Sequence, residues 1–399
     1  MMQTQREFWR GSMVLLGCNT LAGIFNYGFQ VLAARRLAVA DYGSLNLWIA
    51  DITIALSVGT IAQMTANYFP LKATTLRKVA PVALVLGLAV ATSIVMVAVH
   101  GGLNDLVAGA AAVGLGVMAG WLGGQVQARM QFALLGLSLV FAALLKILIA
   151  GLVPPGAGSA TDALTAYHLA VAISFIAPII LIALRSLTHP FQTVPRVAED
   201  RVQAKIICAS LLALATALIP QLDIINLRQF QTSEVLGQYA RVMLAAKAIF
   251  FGAAAILQVA LPFHLRAQDA KMDRSAGGAI RRTELTVVAA CFVASGLAAV
   301  LLPWLSLIFL GFDLGGYQLW ILLTGCIASL QFALLQEIQR DCAKLAWKRA
   351  AVVLAALGVV LVWGAWGGQS GAPQNVGHYL AVVAVYYAAV LGVRLRVVR

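Results

Sequence analysis

"VLAARRLAVADYGSLNL", residues 31–47, lies between two long apolar runs and sets Arg35, Arg36 and Asp41 just ahead of Tyr42-Gly43. A soluble turn and a connection between two membrane crossings read very differently here, and the flanks decide between them. Apolar windows of about 20 residues recur from one end of the chain to the other, each long enough to cross a ~30 Å hydrocarbon layer. The chain is 61% hydrophobic and only 11% charged, with mean hydropathy +0.90. A soluble protein of 399 residues would need about 25% charged residues to cover its surface. The sequence is that of an all-α polytopic membrane protein.

Apolar runs bounded by charge or Gly/Pro clusters predict twelve spans: 11–34, 44–68, 79–99, 106–128, 132–153, 163–184, 206–227, 239–262, 285–310, 317–336, 350–366 and 378–393. The opening "MMQTQREFWRGS" is too short and polar for a signal peptide, so the first span is expected to be retained. Of the 28 Lys and Arg, all but six fall in alternate segments: the N-terminus, the loops at 72–78 and 129, the connector 185–205, the segments 266–282 and 340–349, and the C-terminal tail. The intervening loops "GGLND", "VPPGAGSATD", "GFDLGG" and "GGQSGAPQNVGH" hold none. The positive-inside rule then places both termini in the cytoplasm.

A net charge of +13 would point to nucleic acid in a soluble protein. Here the basic residues flank spans, and membrane lipid headgroups with the orientation rule account for them, so no nucleic-acid partner is expected. The five cysteines are scattered and include no CxxC pair, and the five histidines have no metal-ligand spacing. Neither a metal nor an organic cofactor is implied.

The connector "RSLTHPFQTVPRVAEDRVQAK" at 185–205 divides the chain near its midpoint. The expected organisation is a cytoplasmic N-terminus (1–10), a six-helix lobe (11–184), the linker (185–205), a second six-helix lobe (206–393) and a cytoplasmic tail (394–399). Because six is even, both halves insert with the same orientation, as in parallel-repeat transporters. An echo supports this: the order arginine, acid, glycine in "ARRLAVADYGSLNLWIADI" returns in "NLRQFQTSEVLGQYARVMLAAKAI" as Arg228, Glu234 and Gly237.

At these residues the sequence resembles the polysaccharide-biosynthesis flippases (the O-antigen flippase type) of the multidrug/oligosaccharidyl-lipid/polysaccharide exporter superfamily. Ala34, Arg35, Leu37, Asp41, Tyr42 and Gly43 match that family's opening, and Glu234, Gly237 and Tyr239 its second signature. The resemblance implies two six-helix lobes related by a pseudo-twofold axis around a central cavity that opens alternately to each membrane face. It implies a polyprenyl-pyrophosphate-linked oligosaccharide as cargo, the bacterial inner membrane as location, and a glycan polymerase and glycosyltransferases as partners of the same system. A cation-coupled multidrug exporter of the same fold is the alternative. A membrane polymerase or ligase is disfavoured by the short outer loops, and no enzymatic constellation is present.

A charge inside a span is costly and marks a partner or a water-filled path. The six basic residues outside the orientation pattern, Arg35, Arg36, Lys146, Arg228, Arg241 and Lys247, are candidates to meet an anionic cargo. The four arginines also lie near enough to an interface to snorkel, and an internal ion pair with Asp51 or Asp223 is the competing role for Lys146 and Lys247. Asn19, Asn26 and Gln30 share one face of the first span, where they would hydrogen-bond sugar hydroxyls or neighbouring helices. Asp223, three residues after Pro220, and Asp51 are candidates for coupling to a proton or sodium ion; a salt bridge from Asp223 to Arg228 is the competing role. Gly116, Gly120 and Gly124 form a small-xxx-small face that predicts close helix packing.

Overall fold

A computed structural model describes residues 2–68, 71–72, 75–76, 79–80, 83, 105–152, 160–188, 202–229, 231–244, 249, 253, 274–309, 313–367 and 376–397. Among the described residues the regular structure is helical throughout. The helices are α1 (Met2–Arg36), α2 (Val39–Ala55), α3 (Ser57–Tyr68), α4 (Asp105–Ala128), α5 (Phe132–Gly151), α6 (Ala160–Ser174), α7 (Ile176–Thr188) and α8 (Val202–Leu218). A 3-10 turn (Ile219–Gln221) leads into α9 (Leu222–Leu227), and α10 covers 233–244. The chain continues with α11 (Arg274–Phe309), α12 (Gln318–Ala343), α13 (Trp347–Gly367) and α14 (Val376–Val397). Eight helical stretches among the described residues are long and apolar enough to cross a membrane, and the protein is multi-pass. Most of the span expected at 79–99, the second part of that at 239–262, and residues 189–201 of the linker lie outside the described residues.

Three of the predicted spans are broken, each for a local reason. Pro178 has no amide to offer the Ser174 carbonyl, and α6 gives way to α7 at Phe175. Pro220 likewise replaces one turn of α-helix by the 3-10 turn, where the Gln331 amide donates to the Ile219 carbonyl at 2.8 Å. At Leu56 no proline is present; the Thr60 hydroxyl donates to the Leu56 carbonyl at 3.4 Å and competes with the backbone amide there, which bends a helix. Pro303, by contrast, sits inside the continuous α11.

The chain forms two compact units: residues 1–33 with 51–214, and residues 34–50 with 215–399. In the first unit α1 and α5 run parallel, as the positions of close approach show. An added Cβ at Gly11 would meet Phe132, Gly136 meets Cys18, and Gly28 meets Ile147. Ala22 packs with Val140 and Ala143 between them. α3 and α4 are also parallel and pack backbone to backbone. Gly59 lies against the Gly116 carbonyl and Gly120 against Gly59, while Gly124 lies against Gln63 and Ala66. The expected small-residue face of α4 therefore has a specific partner. At the end of that pair Arg129 is buried and donates to the Gln125 carbonyl (2.6 Å), the Gln125 side chain (3.0 Å) and the Leu71 carbonyl. Gln125 in turn accepts from the Leu71 amide at 2.8 Å. A residue that reads as an orientation charge is thus also a clamp on the chain that follows α3.

In the second unit α11 and α12 form an antiparallel pair. Ser295 meets Gly325 and Ser329, while the Ser306 hydroxyl accepts from the Leu314 amide at 3.2 Å. The opposite face of α11 exposes Val293, Leu297, Val300 and Trp304, an apolar stripe suited to lipid. At the ends of α12 and α14 the carboxylates of Glu337 and Asp341 pair with Arg340 and Arg394 respectively.

The two units share one device that the sequence does not advertise. Met130 and Leu345 are the positive-φ non-glycine residues among the described residues, at 59° and 54°. Each follows a helix end and closes a Schellman motif. Met130 N donates to Gln127 O and Gln131 N to Val126 O; Leu345 N donates to Cys342 O and Ala346 N to Asp341 O. The residue before each is basic (Arg129, Lys344), and a new helix begins two residues later, at Phe132 and Trp347. Left-handed backbone costs an L-residue about 1–2 kcal/mol, partly offset by the extra unfolded-state freedom that glycine brings. Met130→Gly and Leu345→Gly are each expected to stabilise the protein by about 0.5–1 kcal/mol, read as a higher melting temperature in detergent.

Candidate functional site

Candidate residues fall in both units. In the first, Lys146 lies along α5, and its Nζ stands 4.8 Å from the centre of the Phe29 ring on α1. Phe29 is buried and meets Tyr167 of α6 edge to face, with ring centres 5.7 Å apart. The ring faces Lys146 with its negative quadrupole, which tolerates a cation without neutralising it. No carboxylate among the described residues of this unit forms a salt bridge with Lys146. Asn19 and Gln30 are half-buried on α1, Asn26 is exposed, and Asp51 is exposed on α2.

In the second unit Asp223 is buried on α9, just past the 3-10 turn. One carboxylate oxygen accepts from the Tyr239 hydroxyl of α10, and the other from the Ile224 amide at 3.0 Å. Asn226, one turn further on, donates to the Val360 carbonyl (2.9 Å) and to the Tyr379 hydroxyl (3.0 Å). Its own carbonyl oxygen is buried with no hydrogen-bond partner among the described residues. Tyr239, Tyr379 and Tyr387 are all fully buried around this cluster.

Arg35, Arg36 and Arg228 are exposed at helix ends. Arg241 is not a surface residue in the same sense: its guanidinium is partly buried and reaches the Ala34 carbonyl at 3.3 Å. Lys247 lies outside the described residues. The candidates therefore divide, with Lys146, the amides and Asp51 in the first unit and Asp223 and the arginines in the second. What sequence reasoning did not find is the company they keep. Phe29 under Lys146 and the tyrosines around Asp223 are ordinary aromatic residues at distant positions, and nothing local marks them as partners.

Lys146 and Asp223 thus each stand beside an aromatic side chain inside a membrane-length helical stretch. No protein-family model and no curated protein sequence matches this chain. Solved structures do. A multidrug-resistance MATE family transporter of the MOP superfamily, in an outward-facing conformation, superposes with TM-score 0.60 at 11% identity, over 98% of this chain and 95% of that one. The eukaryotic MATE transporter AtDTX14 gives TM-score 0.60 at 14% identity, over 98% and 96%. A MOP superfamily transporter from Pyrococcus furiosus, whose pocket is described as having reverse polarity that suggests a different function, gives 0.56 at 12%, over 98% and 95%. Along nearly its whole length, this chain has the fold of the MATE transporters of the MOP superfamily.

Proposed function

We propose that the protein is an alternating-access transporter whose cargo is an anionic amphiphile, a polyprenyl-pyrophosphate-linked oligosaccharide. The observation that carries this reading is Lys146. It is a cation well inside a membrane-length helix, supported by an aromatic ring and in no salt bridge with a carboxylate among the described residues of its unit. Such a group is suited to receive a phosphate oxygen. The polar face of Asn19, Asn26 and Gln30 suits sugar hydroxyls, and the prenyl tail can remain in lipid. Arg35, Arg36, Arg228, Arg241 and Lys247 complete the basic set. Twelve crossings with both termini cytoplasmic, placement in a bacterial inner membrane, and a glycan polymerase and glycosyltransferases as partners belong to the same proposal.

A second reading, a cation-coupled multidrug exporter, is favoured by the names of the structural neighbours and by Asp223. That buried carboxylate, beside the unused Asn226 oxygen, is where we place a coupling proton or sodium ion, with Asp51 as the other candidate.

One experiment separates the two. In cells lacking their own flippase, Lys146→Ala is expected to lower glycan export at least tenfold at normal protein level, with Lys146→Arg retaining most of it. Full export by Lys146→Ala overturns the anionic-cargo reading. Efflux of cationic drugs from a sensitised strain, lost in Asp223→Asn and kept in Lys146→Ala, supports the second.

A further inference from the structure

We propose that the turn joining α12 to α13, residues 344–349, is a binding site for the headgroup of an anionic phospholipid drawn from the surrounding bilayer. The site needs only that the protein spans a membrane, and it serves whatever cargo is carried.

α12 is long and apolar enough to cross a membrane and ends at Ala343, and the 21-residue α13 starts back from Trp347. A turn at the end of a crossing meets the lipid headgroups, the level at which tryptophan is enriched. Here Trp347 is half-buried, and Lys344, Lys348 and Arg349 around it are exposed. The Lys348 Nζ stands 5.7 Å from the centre of the Trp347 ring, close enough for a cation–π contact.

What singles this turn out is where the neighbouring carboxylates go. Glu337 and Asp341, the acids nearest in sequence, are both buried and both engaged. Glu337 pairs with Arg340, and Asp341 with Arg394, whose Nε also lies 3.9 Å from Glu337. None of Lys344, Lys348 and Arg349 stands in an ion pair with a described residue. Three cations thus crowd one short turn, while the acids that would balance them serve other arginines.

The local physics makes that crowding unfavourable until an anion joins it. A helix favours bases in its last turn and acids in its first. Lys344, at the end of α12, obeys this preference. Lys348 and Arg349 oppose it, since the first turn of α13 holds no acid and both bases lie against the positive end of the helix. The turn cannot easily spread them apart. The Leu345 amide donates to the Cys342 carbonyl at 3.0 Å and the Ala346 amide to the Asp341 carbonyl at 2.8 Å, which pins its shape. The matching turn at Arg129–Gln131 has the opposite use. There the base is buried and donates to carbonyls, and no further base follows in the next helix turn. An anionic headgroup would give the exposed turn its missing charge. Its phosphate oxygens accept from the ammonium and guanidinium groups, and its acyl chains stay in the bilayer.

The test compares nanodiscs of phosphatidylcholine alone with nanodiscs that also contain phosphatidylglycerol. The unaltered protein is expected to melt about 3 °C or more higher in the second. In phosphatidylcholine alone, Lys348→Glu with Arg349→Glu is expected to melt above the unaltered protein, because acids now occupy the first turn of α13. With phosphatidylglycerol present it is expected to melt below, so the order of the two proteins reverses. Native mass spectrometry supplies an arm with milder changes. Lys348→Gln with Arg349→Gln is expected to hold phosphatidylglycerol about tenfold more weakly than the unaltered protein. Lys72→Gln, at an exposed base of the other unit, is expected to hold it equally well. The same melting order in both lipids, or undiminished lipid retention by Lys348→Gln with Arg349→Gln, overturns the site. Inorganic pyrophosphate that stabilises the unaltered protein in phosphatidylcholine as much as phosphatidylglycerol does would assign the turn to a free phosphate and overturn the lipid. None of these measurements involves transport, so the lipid site and the cargo reading stand or fall separately.

Discussion

Gly120→Leu is expected to leave no folded protein, and Gly120→Ala to lower the melting temperature clearly. A methyl group at Gly120 would press on the Gly59 carbonyl, and one at Gly124 on the backbone of Gln63. Gly59 itself faces the Gly116 carbonyl at 2.7 Å from where its Cβ would be. α3 and α4 thus touch through main chain over two turns, and main chain cannot step aside as a side-chain end can. Overpacking a tight site costs about 1–3 kcal/mol per small insertion, and a leucine adds several carbons at once. Against a total stability of about 5–15 kcal/mol, the larger substitution takes most of the margin. Gly114, on the same helix, supplies the control, because nothing lies within 4 Å of its added Cβ. Gly114→Ala is expected to be neutral or to gain up to about 1 kcal/mol from helix propensity. Size-exclusion yield and thermal unfolding in detergent measure all three; equal behaviour of Gly114→Ala and Gly120→Ala would show that the close approach is not real.

How far these features can be read from sequence depends on the range of the physics behind them. The small-residue face of α4 is visible because glycines at 116, 120 and 124 repeat with the helix. Gly59 as their partner is not, since a single glycine announces nothing about what approaches it. The breaks at Pro178 and Pro220 follow from a missing amide and are local. The bend at Leu56 comes from a threonine hydroxyl that elsewhere in a helix does no harm. The helix stops at Met130 and Leu345 are hidden for a different reason: their conformation favours glycine, and the residues present are the wrong ones by propensity, held there by the Schellman hydrogen bonds.

The candidate site shows the same division. Charges in apolar runs stand out by composition alone, so Lys146, Asp223 and Arg241 are all legible as unusual. Their partners are set by tertiary contacts across tens or hundreds of residues. Charge arithmetic offers Arg228, five residues away, as one partner for Asp223; the structure adds one that the sequence does not mark, the hydroxyl of Tyr239. Arg241 reads as a candidate for cargo or for snorkelling, and its contact with a carbonyl at the end of α1 is invisible in the sequence.

The Tyr239 hydroxyl on Asp223 carries the second large expected effect. Tyr239→Phe is expected to destabilise the protein by about 1.5–3 kcal/mol, the range for a hydrogen bond to a charged group with its partner left buried. Asp223→Asn keeps an acceptor for the Tyr239 hydroxyl and is expected to cost less, below about 1 kcal/mol, because a neutral amide also loses the desolvation penalty of a buried charge. Asp223→Leu with Tyr239→Phe removes both partners. It is expected to be more stable than the sum of the single changes predicts, since the hydroxyl and its carboxylate acceptor leave together, although the Ile224 amide still loses its bond to Asp223. The thiols of Cys208, Cys291 and Cys342 are buried, so a thiol-reactive dye reports unfolding of all the variants. Additivity in this cycle would remove the bond. The same set separates stability from function. If Asp223 serves only the fold, Asp223→Asn should transport as well as it folds. If it carries the coupling ion, Asp223→Asn keeps its melting temperature and loses its response to the ion gradient, and the double variant becomes a well-folded protein that no gradient can drive.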